Sequence, residues 1–239
     1  MVIGVIYGIA ACMIWGFVYL VPLVLPEYDP AYIAAGRFVS FGLLVGPLVW
    51  LERRELAHYT LRDWIYVAKL GVIGNIAYFW FLTYCIQYAG APLAGMCMSL
   101  VPVLVALAPN PRSRKTGSAL PLPRLLPGLA LILAGMVTAN LTEFDMAAAS
   151  GADGGTRFWY GVVMGVLALA TWTWYPIRNA EWLLAHPQRS PRTWSTAQGI
   201  ATLPLAVVFY LVVWWMDEPG RPLLGDNPWW FVFVVASSG

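Results

Sequence analysis

The sequence predicts an all-α membrane protein, a polytopic helical bundle, and three observations predict it. Hydrophobic residues make up 60% of the chain and charged residues 11%, whereas an average soluble domain is about 25% charged. Apolar runs long enough to cross a bilayer recur from one end of the chain to the other, and the mean hydropathy is +0.67. One of these runs is repeated: Gly4, Gly8, Ala11 and Trp15 return at an offset of 157 as Gly161, Gly165, Ala168 and Trp172, and Val5 matches Val162. Helix geometry places each foursome on a single face, where small residues let a neighbouring helix approach closely. Glycine pairs four apart often mean packing and nothing more. Their return together with a tryptophan implies two halves built on one plan.

Taken in order, the predicted spans are residues 2–25, 31–51, 64–88, 92–108, 122–142, 158–176 and 199–216, with an eighth beginning near Pro228. Each of the first seven holds about the 17–25 residues that a bilayer crossing needs. Pro22, Pro47, Pro102 and Pro127 lie in or near these spans, which membrane helices accommodate as kinks. The loops alternate in charge. Glu27 and Asp29 occupy the first, Arg53, Arg54 and Arg62 flank the second, and the short turn at Gly90 has no charge. Arg112, Arg114, Lys115 and Arg124 fill the fourth, an acidic Gly/Ala-rich stretch with Arg157 the fifth, and Arg178, Arg189 and Arg192 the sixth. Arg221 stands among three acids in the seventh. An excess of basic residues marks the cytoplasmic side, so the N-terminus and the even-numbered loops are expected there, in a multi-pass protein of the cell (inner) membrane. Clusters such as Trp159–Tyr160, Trp214–Trp215 and Trp229–Trp230 fit interfacial belts.

Five spans per repeat is an odd number, so the two copies must run in opposite directions through the membrane. The predicted architecture is two inverted five-helix repeats: residues 1–142, an extracytoplasmic linker at 143–157, and a second, incomplete repeat at 158–239. Further matches support the pairing. Pro30 and Arg37 open the second span with the same spacing as Pro191 and Gln198 open the seventh. Trp64, Gly71 and Gly74 match Trp229, Ala236 and Gly239 at an offset of 165. From Pro228 to Gly239 there are 12 residues, a rise of roughly 18 Å against a hydrocarbon core about 30 Å thick. The expectation is therefore a fragment or a C-terminally truncated product, lacking roughly two and a half helices.

Several pieces, in order and at family spacing, resemble the EamA-type proteins of the drug/metabolite transporter superfamily. They are Gly8 to Trp15–Gly16, Pro30 with Arg37, the run Tyr84-Cys-Ile-Gln-Tyr-Ala-Gly-Ala-Pro92 leading to Leu100-Val-Pro102-Val103, Gly128 to Gly135 with Leu131 and Ala134, and Gly161 to Trp172. The resemblance covers nearly the whole chain. It implies ten helices in two inverted repeats around a central cavity, and export or permeation of small metabolites. One departure is that residues 109–124 hold no acid, where family members often carry a glutamate before the fifth helix.

Candidate cavity residues are Trp15, Tyr19, Arg37, Asn75, Tyr78, Trp172 and Tyr175. Arg37 lies inside a span, where a charge is costly unless it is paired or snorkels; it reads either as an anion-binding or gating residue or as an interfacial anchor. The resemblance also implies an arginine there. Gly71, Asn75 and Tyr78 share a face of the third span, and a mid-membrane amide marks either a cavity or a hydrogen bond between helices. The aromatic residues suit flat or apolar solutes and cations, though packing is the alternative. Lys69, near a span end, reads as snorkelling.

The complete spans contain no acid, so proton coupling lacks its usual group. No zincin or nucleophile-elbow motif and no paired carboxylates occur within a span, which argues against an enzyme. Cys12, Cys85 and Cys97 lie in apolar runs and suggest neither disulfides nor a metal site, and no cofactor is called for. The net charge of +2 reflects loop charges, so nucleic acid is not an expected partner. The expected partners are a small-molecule substrate and the lipid bilayer, with a homodimer left open. The functional expectation is export of a small metabolite by alternating access; the alternative is a non-transporting truncated protein or a helical interaction subunit.

Overall fold

Helices account for nearly all of the computed structural model, which describes residues 16–107, 151–217 and 223–238 and scattered positions between 126 and 138. Helix α1 (16–24) leads by a short turn to α2 (Pro30–Leu56). The Asp29 side chain starts α2 by accepting from the Ala31 N–H at 2.8 Å, and Pro30 occupies the first helical position, where its missing N–H costs nothing. The helix runs past the predicted end at 51 to Leu56, because Glu52, Arg53, Arg54 and Glu55 are good helix formers and close the last turn.

Helix α3 (Leu61–Ala89) opens with a capping box between Thr60 and Asp63. Its middle, Gly71–Ala77, widens into a π-helical stretch that the sequence reading did not foresee. Such stretches are rare and frequent at functional sites. Gly90, at φ 87°, makes the turn into α4 (Ala91–Ser99). The predicted fourth span is broken at Leu100, before α5 (Val101–Leu107). Pro102 has no N–H to continue the ladder, and Leu100 closes the turn by donating to the Cys97 carbonyl at 3.2 Å. Trp15, the rest of the first repeated motif and most of the predicted fifth span lie outside the described residues.

Helix α6 (Gly151–Ala185) is longer than predicted at both ends. It begins within the segment read as a linker and continues through Pro176. Residues 177–185 look like loop in sequence because they hold Arg178, Asn179 and Glu181. Trp182, 7% exposed, supplies the buried face that keeps them helical. Helix α7 (Pro191–Met216) starts earlier than the predicted 199, at a Ser190 cap with Pro191 in the first position. Helix α8 (Pro228–Ser238) ends the described chain.

The largest helix contacts pair α2 with α7 and α3 with α6. The second copy of the glycine motif carries the latter. A Cβ on Gly161 would lie 2.9 Å from the Ala89 backbone nitrogen, and one on Gly165 would lie 2.9 Å from Cys85 Sγ. Glycine is required where the helices touch. The outer faces remain apolar: Leu43, Leu44, Val163, Val166, Val208 and Leu211 are exposed, as lipid-facing side chains are. Four helices, α2, α3, α6 and α7, are long and apolar enough to cross a membrane. The fold is an all-α membrane bundle.

Candidate functional site

Four of the seven predicted cavity residues line one cavity. Arg37, Asn75, Tyr78 and Trp172 enclose about 120 Å³ together with Phe38, Phe41 and Gly74. Three helices build it. α2 supplies Arg37, Phe38 and Phe41, the π-helical part of α3 supplies Gly74 and Asn75 with Tyr78 just beyond, and α6 supplies Trp172. Asn75 stands midway between Leu61 and Ala89, so the cavity lies near the middle of the bundle.

The π-helical stretch explains how α3 fits. A Cβ at Gly74 would collide with the Tyr175 ring, and one at Gly71 would approach Thr202 Oγ1 to 2.6 Å. Both positions need glycine, and both bring the α3 backbone against α6 and α7. Asn75 Nδ2 donates to Thr202 Oγ1 at 3.2 Å, and Thr202 in turn donates to the Gln198 carbonyl at 2.7 Å. The amide thus serves as helix glue through its nitrogen, while its oxygen has no partner among the described residues.

Aromatic rings form the opposite wall. Trp172 stacks on Tyr78 with centroids 4.3 Å apart and on Tyr175 at 5.3 Å. Tyr175 does not line the cavity. Its hydroxyl donates to Gln198 Oε1 at 2.6 Å and fixes the outer ring of the stack. The Tyr78 hydroxyl, on a side chain 3% exposed, is buried without a hydrogen-bond partner among the described residues. An orphaned buried hydroxyl costs about 1–3 kcal/mol, so this one invites a ligand or a water.

Arg37 lies about two turns into α2, with its Nε donating to the Ser238 carbonyl at 3.0 Å. Its guanidinium carbon sits 4.3 Å from the Phe79 ring centroid and 5.4 Å from that of Phe38. The charge is held by a carbonyl and ring faces, and no ion pair compensates it among the described residues.

Tyr19 packs at the edge of the core and does not reach the cavity lining. Trp15 lies outside the described residues. Lys69 is exposed at the rim, with its ammonium 5.5 Å from the Trp174 ring, in keeping with snorkelling. Sequence reasoning missed Phe38 and Phe41, which are indistinguishable from packing residues in an apolar run. It also missed the polar track below the cavity. Gln198 Nε2 donates to Asn179 Oδ1 at 3.0 Å, which also accepts from Trp194 Nε1 at 2.7 Å. Gln198 had a signal, since its distance from Pro191 equals that of Arg37 from Pro30. A larger groove of about 470 Å³ opens between the 57–60 and 186–190 loops, lined by Glu55, His58, Tyr59 and Arg189. It is a surface cleft outside the apolar spans, whereas the smaller cavity is central and partly apolar.

The comparisons with known proteins give the family. The model of the EamA-like transporter family matches residues 2–111. Inner membrane protein YtfF of Escherichia coli (strain K12) is 32% identical over 248 aligned residues, covering 99% of this chain and 74% of that protein. No solved structure matches the chain. A multi-pass membrane bundle that matches the family model over residues 2–111 and an inner membrane relative over 99% of its length, this chain belongs to the EamA-like family of drug/metabolite-type membrane transporters.

Proposed function

We propose that this chain exports a small metabolite, such as an amino acid or a drug-like solute, by alternating access, with the Arg37–Asn75–Tyr78–Trp172 cavity as its substrate site. The observation that carries the reading is the cavity itself. It lies at mid-bundle, on side chains from both halves of the sequence, and leaves a buried hydroxyl and an amide oxygen without partners among the described residues. Transporter sites sit near the bilayer midplane between halves, where a shift of one half against the other exposes them to either side. The two halves are read as inverted repeats from the recurring Gly-Gly-Ala-Trp motif. We read the protein as an inner-membrane one with its N-terminus in the cytoplasm. Arg53, Arg54, Arg62, Arg178, Arg189 and Arg192 gather at the end that this orientation puts inside.

The test is metabolite profiling of the medium around cells that express the protein, compared with cells expressing Trp172→Ala or Asn75→Ala at equal membrane abundance. One or a few small metabolites are expected to accumulate several-fold with the wild type and to fall to the empty-vector level with Trp172→Ala. Equal media from all strains, or a wild-type profile unchanged by both substitutions, overturns the reading.

A further inference from the structure

The cavity has the wrong charge to stand empty, and that charge selects its ligand. Arg37 brings a permanent positive charge about two turns into a membrane-spanning helix. A cation at that depth is costly unless something opposite in charge faces it. Among the described residues nothing does. The guanidinium makes one hydrogen bond, through Nε to the Ser238 carbonyl, and otherwise lies against the faces of Phe79 and Phe38. Its two terminal nitrogens have no acceptor among the described residues, and Arg37 lines the cavity. Among the described residues the cavity is also lined by Asn75, whose free group is an oxygen, and Tyr78, whose hydroxyl is buried without a partner. No carboxylate lines it among the described residues. The remaining walls are Phe38, Phe41, Gly74 and Trp172.

We infer that the solute taken into this cavity is a small organic monoanion whose carboxylate, or a comparable oxyanion, pairs with the terminal nitrogens of Arg37 while its apolar body lies against Trp172 and Phe41. This rests on the cavity being the substrate site. It narrows the substrate class by charge: a cation meets an uncompensated guanidinium, and a neutral solute leaves it uncompensated. A planar guanidinium fork matches a carboxylate in two hydrogen bonds, which a lysine would not do. The Tyr78 hydroxyl can donate to the same anion, and the Asn75 oxygen can take a hydroxyl or amide proton elsewhere on the solute. An inside-negative membrane potential drives such an anion outward, so export of this class needs no proton-carrying acid.

The test is binding to the protein in lipid nanodiscs by titration calorimetry, with empty nanodiscs as the blank. Two series of nearly equal shape and differing charge are the probes: propanoate, propanamide and propylammonium, and benzoate, benzamide and benzylammonium. The anion of at least one series is expected to bind about tenfold or more tightly than its amide, in line with the strength of charge-assisted pairs, and the ammonium not at all. Arg37→Gln should erase the preference for the anion, and Arg37→Lys should retain part of it. An amide or ammonium that binds as tightly as its anion overturns the charge assignment and leaves the cavity as the site. If no probe of either series binds, the cavity is not the substrate site and both readings fail. If Arg37→Gln does not fold, the wild-type series decides alone. A preference that survives in a folded Arg37→Gln protein also overturns the assignment.

Discussion

The two ends of the bundle are closed by different chemistry. At the end formed by residues 57–60 and 186–190, charges and stacked rings join helices. Trp182 and Trp194 stack with centroids 3.4 Å apart, His186 stacks on Trp182 at 4.2 Å, and Tyr59 lies 6.1 Å from Trp194. Around them Arg192 Nε pairs with Glu52 at 2.6 Å, Thr193 donates to Glu55 at 2.6 Å, and Arg189 donates to the His58 carbonyl at 2.8 Å. Burial pushes the Tyr59 phenol up from its ordinary pKa, against the opposing charge of Arg189. At the other end most of the ties are neutral, although Tyr84 also donates to Asp29 Oδ2 at 3.4 Å and the Arg157 guanidinium carbon lies 4.8 Å from the Tyr88 ring centroid. Tyr28 donates to the Leu224 carbonyl and accepts from the Asn227 N–H, Gln87 donates to the Tyr28 carbonyl at 3.2 Å, and Tyr84, Tyr88 and Tyr160 form a ring cluster. The contrast teaches that one end depends on screened charges over a dry aromatic stack. The other depends mainly on tyrosine hydroxyls and an amide meeting backbone, ties that salt screens far less.

Four measurements break or sharpen this contrast, taken from the largest expected effect down. Trp194→Ala removes a fully buried ring from the stack and one of the two donors to Asn179 Oδ1. It should destabilise the protein by about 3–5 kcal/mol in a detergent melt, whereas Trp194→Phe, which keeps a ring, should cost much less. A melt unchanged by Trp194→Ala would remove the stack as the anchor of that end. Gly161→Ala probes the opposite half of α6, where the new Cβ would lie 2.7 Å from the Ala89 Cβ against α3. The backbone must shift, so a loss of about 1–3 kcal/mol is expected, with α6 and α3 separating first in hydrogen exchange.

Tyr28→Phe comes next. It removes the hydroxyl that serves both the Leu224 carbonyl and the Asn227 amide, and should cost about 1–2 kcal/mol, independent of salt. A loss that shrinks at high salt would contradict the neutral character of the Tyr28 ties. Smallest is the Glu52–Arg192 pair, because the Arg192 side chain is 69% exposed. A double-mutant cycle with Glu52→Gln and Arg192→Gln should return about 0.2–1 kcal/mol at low salt and less at 1 M salt. A coupling well above this range would mean that the pair is shielded from solvent.

Much of the bundle was legible because the membrane imposes its rules residue by residue. Apolar length marked α2, α3, α6 and α7, and caps such as Asp29–Pro30 and Ser190–Pro191 mark their starts. The helical ends at 52–56 and 177–185 were not legible, because polar residues there look like loop until Trp182 and Trp194 bury against each other. Within the site, Arg37 and Asn75 stood out as polar groups in apolar spans. Tyr78 was carried by its place on the Asn75 face, and Trp172 by the repeat. Phe38 and Phe41 carried no signal, since a phenylalanine facing a cavity and one facing lipid read alike.

The sequence by itself determined the class of protein, the main spans, the close glycine contact of α6 and four of the seven residues that line the cavity. These follow from local costs: a charge or amide in hydrocarbon, a glycine face, a capped helix start. Only the tertiary structure decided that Arg37, Asn75, Tyr78 and Trp172 meet, that α3 widens at Gly71–Ala77 to let them, and that Tyr175 and Lys69 lie outside the lining. The reason is physical. Periodicity assigns a residue to a face of its own helix, whereas a cavity depends on which faces of three helices meet, and glycine contacts such as Gly74 on Tyr175 set that choice.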